Sequence, residues 1–438
     1  MRAGGWRLGR WCAMFAGGLF LAQRAHAQEI SAGDTAWILT ASALVLFMMI
    51  PGLAMFYGGL VRVKNVLSVY MQCFVIAAIV TVIWVAFGYS LAFGSAEGGG
   101  IRAFIGPMSK VFMQGVTADS AWGTIPEPVF FIFQLTFAII TPGLIVGAFA
   151  ERMKFSAMII FSALWVIFGY LPVAHMVWGG EGAYFYDKKV IDFAGGIVVH
   201  ITAGVSALVA AIMVGKRRGY PTSPMPPHNM TMTLTGTAML WVGWFGFNGG
   251  SALAANGTAG MAIVVTQISP SVAALTWMMI EWVRIGKPSA LGFATGAIAG
   301  LAAITPAAGS VGPGGAVIIG LVSGICCYLG ATTIKRRFGY DDSLDVVGVH
   351  GVGGIVGTIL LSVFASDRFG GTMANLDIAA QLQTQIFAAV ACGAWCAVVS
   401  VVILGVLRAT IGLRPNSEHE MMGLDQCDHG ETGYILTP

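Results

Sequence analysis

The stretch DFAGGIVVHITAGVSALVAAIMVGKRR, Asp192 to Arg218, decides the fold class of this chain. Its apolar run is about 20 residues long, the length that an α-helix needs to cross a bilayer. The run nevertheless contains a titratable imidazole, His200, and a second apolar stretch, DVVGVHGVGGIVGTILLSVF (Asp345 to Phe364), contains His350. An ionisable side chain at membrane depth is costly and indicates a functional site. The alternative is a pair of core histidines, bonded to each other or to a carbonyl.

The composition of the whole chain agrees with a membrane protein. Of 438 residues, 57% are hydrophobic and only 10% are charged, with a mean hydropathy of +0.80. A soluble domain carries about 25% charged residues. The apolar segments have the length of spanning helices rather than the ~10 residues of barrel strands, and the 60 glycines suit close helix packing in lipid. The sequence therefore predicts an all-α integral membrane protein.

The N-terminus has the pattern of a secretory signal peptide over residues 1–27. Arg2, Arg7 and Arg10 form a basic region, residues 11–22 are apolar, and Ala25-His26-Ala27 is a small-x-small cleavage site. An uncleaved additional span is the alternative. Cleavage after Ala27 would place the mature N-terminus outside, and it favours a bacterial inner membrane as the location.

Hydropathy predicts eleven spans within residues 28–407, followed by a polar tail, residues 408–438. The spans cover approximately 36–60, 66–93, 128–149, 155–174, 193–214, 231–250, 260–282, 290–306, 312–334, 346–365 and 380–407.

Basic residues orient these spans. One set of alternating loops, with the end of the last span, is rich in Lys and Arg, whereas the opposite loops hold few. By the positive-inside rule the rich set is cytoplasmic, so the N-terminus is outside and the C-terminus inside. The rich set comprises Arg62, Lys64, Arg152, Lys154, Lys216, Arg217, Arg218, Arg284, Lys287, Lys335, Arg336, Arg337, Arg408 and Arg414.

Short internal matches indicate a duplication. GLAMFYGG (52–59) in the first span matches GWFGFNGG (243–250) in the sixth, and His200 and His350 each open H-x-x-x-G in spans five and ten. An odd number of spans per half places the halves in opposite orientations. We therefore expect a five-plus-five inverted repeat with a final helix, and a site at the repeat interface near the bilayer midplane.

The polar inventory excludes several other functions. Two histidines without Cys, Asp or Glu at the same depth are a poor ligand set, so neither a metal nor another cofactor is expected. The chain has no carbonyl filter of the TVGYG type and no acidic ring within its spans, so it does not resemble a channel for hydrated ions. The sequence does not predict an enzyme, since no acid, base or nucleophile accompanies the two imidazoles.

Several long motifs resemble one family. ALVLFMMIPGLAMFYGGLVRVKNVLS, TPGLIVGAFAERMKFSA, PVAHMVWGG, DFAGGIVVHITAG, WFGFNGGSA and LDVVGVHGVGGIVGT are similar to the ammonium transporter family (Amt/MEP, related to Rhesus glycoproteins), and closest to its bacterial Amt branch. The similarity extends from about Trp37 into the tail. It implies the eleven-span inverted-repeat fold, a homotrimer with one pore per subunit, and a role in nitrogen metabolism.

The resemblance also implies roles for individual residues. Trp178, Phe137 and Ser251 match a recruitment site for ammonium at the outer face, where the cation meets aromatic rings and a hydroxyl. Phe133 and Phe247 match a stacked gate beneath it. His200 and His350 match the twin-histidine pair of the pore. Asp192 matches an acidic residue that is held to be structural, and its position before span five also suits an N-cap.

Together these features give a functional hypothesis. Ammonium, or its analogue methylammonium, is bound outside and deprotonated, ammonia passes the histidine pair, and a proton is regained inside. The tail pattern GLD…HGE…Y, at Gly423, His429 and Tyr434, resembles the tail of the family. That resemblance implies a cytoplasmic docking surface for a trimeric PII signalling protein.

Two other functions remain open at this stage. An ammonium sensor would bring a fused signalling domain, for which the tail has no room, and a Rhesus-type channel for ammonia or carbon dioxide is disfavoured by Trp178.

Overall fold

The computed structural model describes residues 29–435 as a bundle of helices. The predicted signal peptide, residues 1–27, lies outside the described residues. Each predicted span corresponds to a helix, and we number these helices by span: α1 Ala32–Leu60, α2 Val63–Phe93, α3 Glu127–Phe149, α4 Phe155–Trp178, α5 Gly196–Val214, α6 Met230–Gly250, α7 Gly257–Ile285, α8 Ala290–Ile304, α9 Pro313–Phe338, α10 Val347–Phe364 and α11 Ile378–Thr410.

Nine of these helices within the described residues are long and apolar enough to cross a membrane, the exceptions being α6 and α8. Helix α6 has 21 residues but carries four threonines and Asn248, and α8 has only 15 residues. A spanning helix needs about 20 apolar residues. The structure therefore shows a multi-pass membrane protein, and the number eleven stays a prediction.

Wider, π-helical turns occur in several helices. Both histidine helices begin with one, Gly196–Ile201 in α5 and Val347–Gly351 in α10, and the pair α4 and α9 also contains them (Val166–Tyr170 and Gly330–Ile334). The turns of α1 and α2, Met48–Leu53 and Trp84–Gly88, have no counterpart in α6 and α7. Such turns are rare and concentrate at functional sites. The π turns therefore follow the predicted duplication at α4, α5, α9 and α10.

Helix packing repeats with the same offset. Helix α2 packs against α4 as α7 packs against α9, and α3 against α5 as α8 against α10. Helices α1 and α6 pack against each other, and α5 crosses α10 in the middle of the bundle. The two segments that carry His200 and His350 therefore meet where the two halves of the chain join.

The bundle has two chemically different ends. We call the end that holds Trp178 and Ser251 the aromatic end; the two-residue strands Ala121–Trp122 (β1) and Ile125–Pro126 (β2) form a small antiparallel hairpin there. We call the end that holds Arg62, Arg217 and Lys335 the basic end.

Candidate functional site

The two predicted histidines are in direct contact. Their Nδ1 atoms are 3.3 Å apart, and the rings are nearly parallel, 18° from coplanar orientation, with centroids 5.2 Å apart. Both side chains are buried. Two unprotonated imidazole nitrogens cannot bond each other, so one Nδ1 carries the proton and donates it while the other accepts it. The pair therefore holds two fixed tautomers while both rings remain neutral.

The remaining edge of one ring is left available. Within residues 29–435, His200 Nε2 has no hydrogen-bond partner, although it is buried. The His200 ring stacks on Trp244 with 5.5 Å between centroids, and Trp244 is held by a 2.9 Å bond from its Nε1 to Thr305 Oγ1. A buried polar atom without a partner is costly. Such an atom can instead serve a small polar molecule that passes beside it.

The lumen beside the pair is narrow. A cavity of about 10 Å³ touches both imidazoles and is otherwise walled by apolar and aromatic side chains, which are Met48, Leu53, Phe56, Ile140, Leu144, Val199, Leu240, Trp244, Phe247 and Ile298. A space of this size is about one water probe. It admits a molecule the size of water or ammonia but no hydration shell.

A buried carboxylate fixes the start of the helix that carries His200. Asp192 accepts four backbone N–H groups, those of Gly195 and Gly196 on Oδ1 and those of Ile197 and Val198 on Oδ2, at 2.5–3.0 Å. These donors would otherwise be the unsatisfied N–H groups of a helix start. The N-cap position itself is Gly195, so Asp192 satisfies the helix start from three residues upstream of the expected cap. It lies eight residues before His200.

The second half of the chain repeats this arrangement with Asp342, a residue that the sequence analysis did not select. Asp342 also lies eight residues before its histidine, His350, and its Oδ2 accepts the N–H of Val347 at 2.8 Å. Burial raises the pKa of both carboxyls, Asp192 and Asp342, to about 6. The spacing D-x7-H, present in both halves of the sequence, was the signal that could have found Asp342.

Glycine allows the two histidine helices to touch. A Cβ on Gly204 of α5 would overlap Gly351 of α10, and a Cβ on Gly354 would lie 2.8 Å from Gly196 O and 3.0 Å from His200 Cβ. Gly204 and Gly354 are the glycines of the two H-x-x-x-G motifs. Small residues at such crossings let backbones approach closely.

Alanine at Gly204 should therefore separate the two rings. We expect the G204A variant to lose roughly 1–3 kcal/mol of stability, as overpacked sites do, and to lose uptake with it. Gly405→Ala is the matched control, because no heavy atom lies within 4 Å of a Cβ at that helical position. Thermal unfolding of the solubilised protein and methylammonium uptake are measured for both variants. Equal stability and equal uptake of G204A and G405A would contradict the expectation.

Aromatic rings separate the narrow lumen from the aromatic end. Phe137 stacks on Phe247 at 4.3 Å between centroids and 27°, and it meets Trp178 edge-on at 5.9 Å. Phe133 meets Phe137 edge-on at 5.0 Å. The ring in face contact with Phe247 is therefore Phe137, which the resemblance assigned to recruitment, whereas Phe133 contacts the edge of Phe137.

The recruitment residues line one cavity at the aromatic end. This cavity of about 180 Å³ is lined by Phe137, Trp178, Asp192 and Ser251, together with Phe93, Trp122, Phe130, Gln134, Val177, Tyr186, Phe193 and Leu253. Trp178 is fixed by a 2.8 Å bond from Nε1 to the carbonyl of Asp192, and Ser251 Oγ donates to Phe247 O at 2.8 Å. Within the described residues the lining includes one carboxylate and no basic side chain. The cavity therefore suits a small cation.

The basic end opens into a larger cavity of about 380 Å³ that reaches His350. Buried ion pairs stand beside it: Glu151 pairs with Arg62 at 2.8 Å and Arg217 at 3.4 Å, and Arg217 pairs with Asp341 at 2.8 Å. Burial acts to raise the pKa of Glu151, but the two guanidinium groups outweigh it and hold this pKa below its ordinary value. Several arginines that orient the chain in the sequence therefore have acidic partners in the fold.

Residues 29–435 contain no group of three or more His, Cys, Asp or Glu side chains that could hold an ion. The site consists of a cavity at each end and, between them, an apolar constriction with an imidazole pair.

Comparisons with known proteins agree on one family. The family model described as Ammonium Transporter Family matches residues 36–434. The chain belongs to the ammonium transporter family. It is 46% identical to an ammonium transporter of Aquifex aeolicus, over 94% of this chain and 96% of that protein.

Solved structures of related proteins share the architecture. The crystal structure of Candida albicans Mep2 aligns with a TM-score of 0.83 and 33% identity, covering 94% of each chain. A structure titled Sensor Amt Protein aligns with a TM-score of 0.84 and 28% identity, covering 91% of this chain and 98% of that one.

The tail of this ammonium transporter folds back on its own helices at the basic end. Asp425 Oδ1 accepts the N–H of Ser68 at 2.8 Å, and the His429 ring packs edge-on against Phe155 at 4.8 Å, so the starts of α2 and α4 are both covered. Tyr434 lies 3.3 Å from His228 Nε2. Residues of the GLD…HGE…Y pattern therefore have partners within the chain itself.

Proposed function

We propose that this chain carries ammonium into the cell across a bacterial inner membrane. The aromatic end faces outward and the basic end faces the cytoplasm, as the distribution of Lys and Arg favours. In this orientation all eleven helices cross the membrane as a five-plus-five inverted repeat with a final helix, and residues 1–27 are removed as a signal peptide.

Ammonium binds first at the aromatic end. The positive ion lies against the rings of Phe137 and Trp178, and Ser251 offers a hydroxyl oxygen. A cation over an aromatic face gains about 0.5–2 kcal/mol per contact. The single carboxylate of the cavity, Asp192, adds a favourable field although its oxygens are occupied by backbone donors.

The ion gives up its proton to water at the aromatic end before it enters the lumen. Phe137 and Phe247 close the way with stacked rings, and the space beyond has room for about one water-sized molecule. An unpaired ion in such an apolar space costs many kcal/mol. Ammonium escapes this cost by deprotonation, whereas potassium has no proton to give.

Neutral ammonia then passes the imidazole pair. His200 Nε2 is the buried, unpartnered nitrogen on its path, and the shared proton between the two Nδ1 atoms keeps the rings neutral. Ammonia leaves through the cavity at the basic end and is protonated in water. The single observation that carries this proposal is the 10 Å³ apolar constriction between two larger cavities, with two imidazoles as its polar lining.

The partners follow from the family resemblance. We propose a homotrimer with one pore in each subunit and a PII protein that docks at the basic end. Because Asp425, His429 and Tyr434 have partners within the chain, the exposed tail residues Glu418, Met421 and Met422 are better candidates for that contact.

Uptake in cells that lack their own ammonium transporter tests the proposal. We expect saturable methylammonium uptake, and no potassium uptake by proteoliposomes that contain the purified protein. Signalling without uptake would identify a sensor instead. Ammonia flux that does not saturate, with no cation-binding step, would identify a Rhesus-type gas channel.

A further inference from the structure

The same backbone arrangement occurs at both ends of the pathway. At the aromatic end, Asp192 caps α5, and its carbonyl oxygen accepts a bond from the last residue of α4, Trp178, at 2.8 Å. At the basic end, Asp342 precedes α10, and its carbonyl oxygen accepts a bond at 3.0 Å from Lys335 Nζ, near the end of α9. Helices α4 and α9 are equivalent in the repeat, as are α5 and α10. Trp178 and Lys335 therefore occupy corresponding places.

The side chains at these places have opposite consequences for a cation. Trp178 offers an aromatic face, whereas Lys335 offers a positive ammonium group. The Lys335 ammonium is also an ion-pair partner of the Asp345 carboxylate, and its side chain is only 15% exposed. A primary ammonium with three N–H donors is chemically close to the transported ion. The place that would bind ammonium at the basic end thus already contains a tethered ammonium.

The surroundings of Lys335 strengthen the contrast. The cavity at the basic end is lined by three basic side chains, Arg217, Lys335 and Arg336, and by one carboxylate, Asp345. The lining of the aromatic-end cavity includes one carboxylate, Asp192, and no basic side chain within the described residues. The local field therefore favours a mobile cation at the aromatic end and opposes one at the basic end.

We propose that Lys335 occupies the inner counterpart of the ammonium recruitment site, so that ammonium is bound at the outer mouth but not at the inner mouth. This inference rests on the proposed function. Lys335 thereby prevents the inner mouth from binding the cation that Trp178 helps to bind at the outer mouth.

We expect the two faces to differ in KM and maximal rate, but we expect no preferred direction of net transport. Without a voltage or pH difference, passive transport must have the same ratio of maximal rate to KM in both directions. Lys335 therefore gives the inner face a high KM together with a high maximal rate. Once a vacant cation site forms at the inner mouth, both values should fall together.

Sided membrane vesicles measure this difference. Methylammonium uptake is followed in right-side-out and in inside-out vesicles, with neither a voltage nor a pH difference. We expect the wild-type inner KM to exceed the outer KM by about 10-fold or more. In the K335M variant the inner KM should fall by about 10-fold, while the outer KM stays at the wild-type value.

Three further variants test whether the effect depends on the place of Lys335, on its charge, or on a carboxylate left unpaired. Lys287→Met removes an exposed positive charge that the sequence places on the same side of the membrane, and it should change neither KM. Lys335→Arg keeps the positive charge and should keep the wild-type inner KM. The double variant K335M/D345N removes both partners, so that no charge is left unpaired. Because the net charge of the lining is then the same as in the wild type, its inner KM should fall less than that of K335M.

The outcomes are distinct. An unchanged inner KM in both K335M and K335M/D345N, with normal uptake through the outer face, overturns this inference alone. An equal effect of K287M also overturns it, because the change would then be a general effect of charge. Absence of uptake by the wild type from either face refutes the proposed function as well.

Discussion

Alanine at Asp192 is expected to reduce methylammonium uptake by about 100-fold or more. The carboxylate satisfies four backbone N–H groups at the start of α5, and each buried donor left without a partner costs about 1–3 kcal/mol. A local loss of only ~3 kcal/mol already corresponds to about 100-fold. The affected turn is the one that carries His200, and its Asp192 carbonyl also holds Trp178.

Asparagine at this position tests the four-bond cap and the charge together. Asparagine keeps one acceptor oxygen but turns an NH2 group toward two backbone donors, so D192N should be impaired nearly as strongly as D192A. Asp187→Asn is the matched control, because Asp187 is an exposed acid at the same end of the bundle. Uptake, together with thermal unfolding, measures both. If D192N transported like the wild type, neither the four-bond cap nor the charge would be needed.

Much of the fold could be predicted from the sequence, because a bilayer constrains a chain strongly. The apolar run around His200 has one low-energy arrangement in lipid, a helix with internally satisfied backbone groups. The same reasoning placed α5 and α10 and paired their histidines through H-x-x-x-G. It was less decisive for α8, whose 15 residues lie below the usual spanning length.

Partners that are distant in sequence could not be predicted in this way. Asp341 meets Arg217 across 124 positions, and Glu151 meets Arg62 across 89 positions. Hydropathy reports the cost of burying each charge but not which opposite charge will offset it. The acidic residues of the basic end therefore went unselected, although the arginines were used to orient the chain.

The aromatic end shows the same limit for ring geometry. Spacing along α3 brings Phe133 and Phe137 close to one helix face, but it does not say which of them stacks on a ring of another helix. The structure gives that contact to Phe137. Trp122 and Phe130, which stack at 4.1 Å in the same cavity wall, lie on β1 and α3 and carried no sequence signal that set them apart from ordinary packing.

Leucine at both His200 and His350 is expected to reduce uptake by about 10–100-fold while leaving potassium excluded. Leucine keeps the lumen filled and apolar, so the cost of admitting an ion remains. Ammonia, however, loses its buried hydrogen-bonding partners in the constriction, and an unmade bond of this kind costs about 1–3 kcal/mol, which corresponds to roughly 10–100-fold.

Glutamine at both positions serves as the matched variant for this test, since it offers donors and acceptors but does not titrate in this range. If hydrogen bonding to ammonia is the function of the pair, H200Q/H350Q should recover part of the uptake that H200L/H350L loses. If the imidazoles must move protons, glutamine should be as poor as leucine in current recordings on supported membranes. Uptake by the double leucine variant at the wild-type rate would show that the pair is packing only, because the pathway would then conduct ammonia without polar groups in its narrowest part.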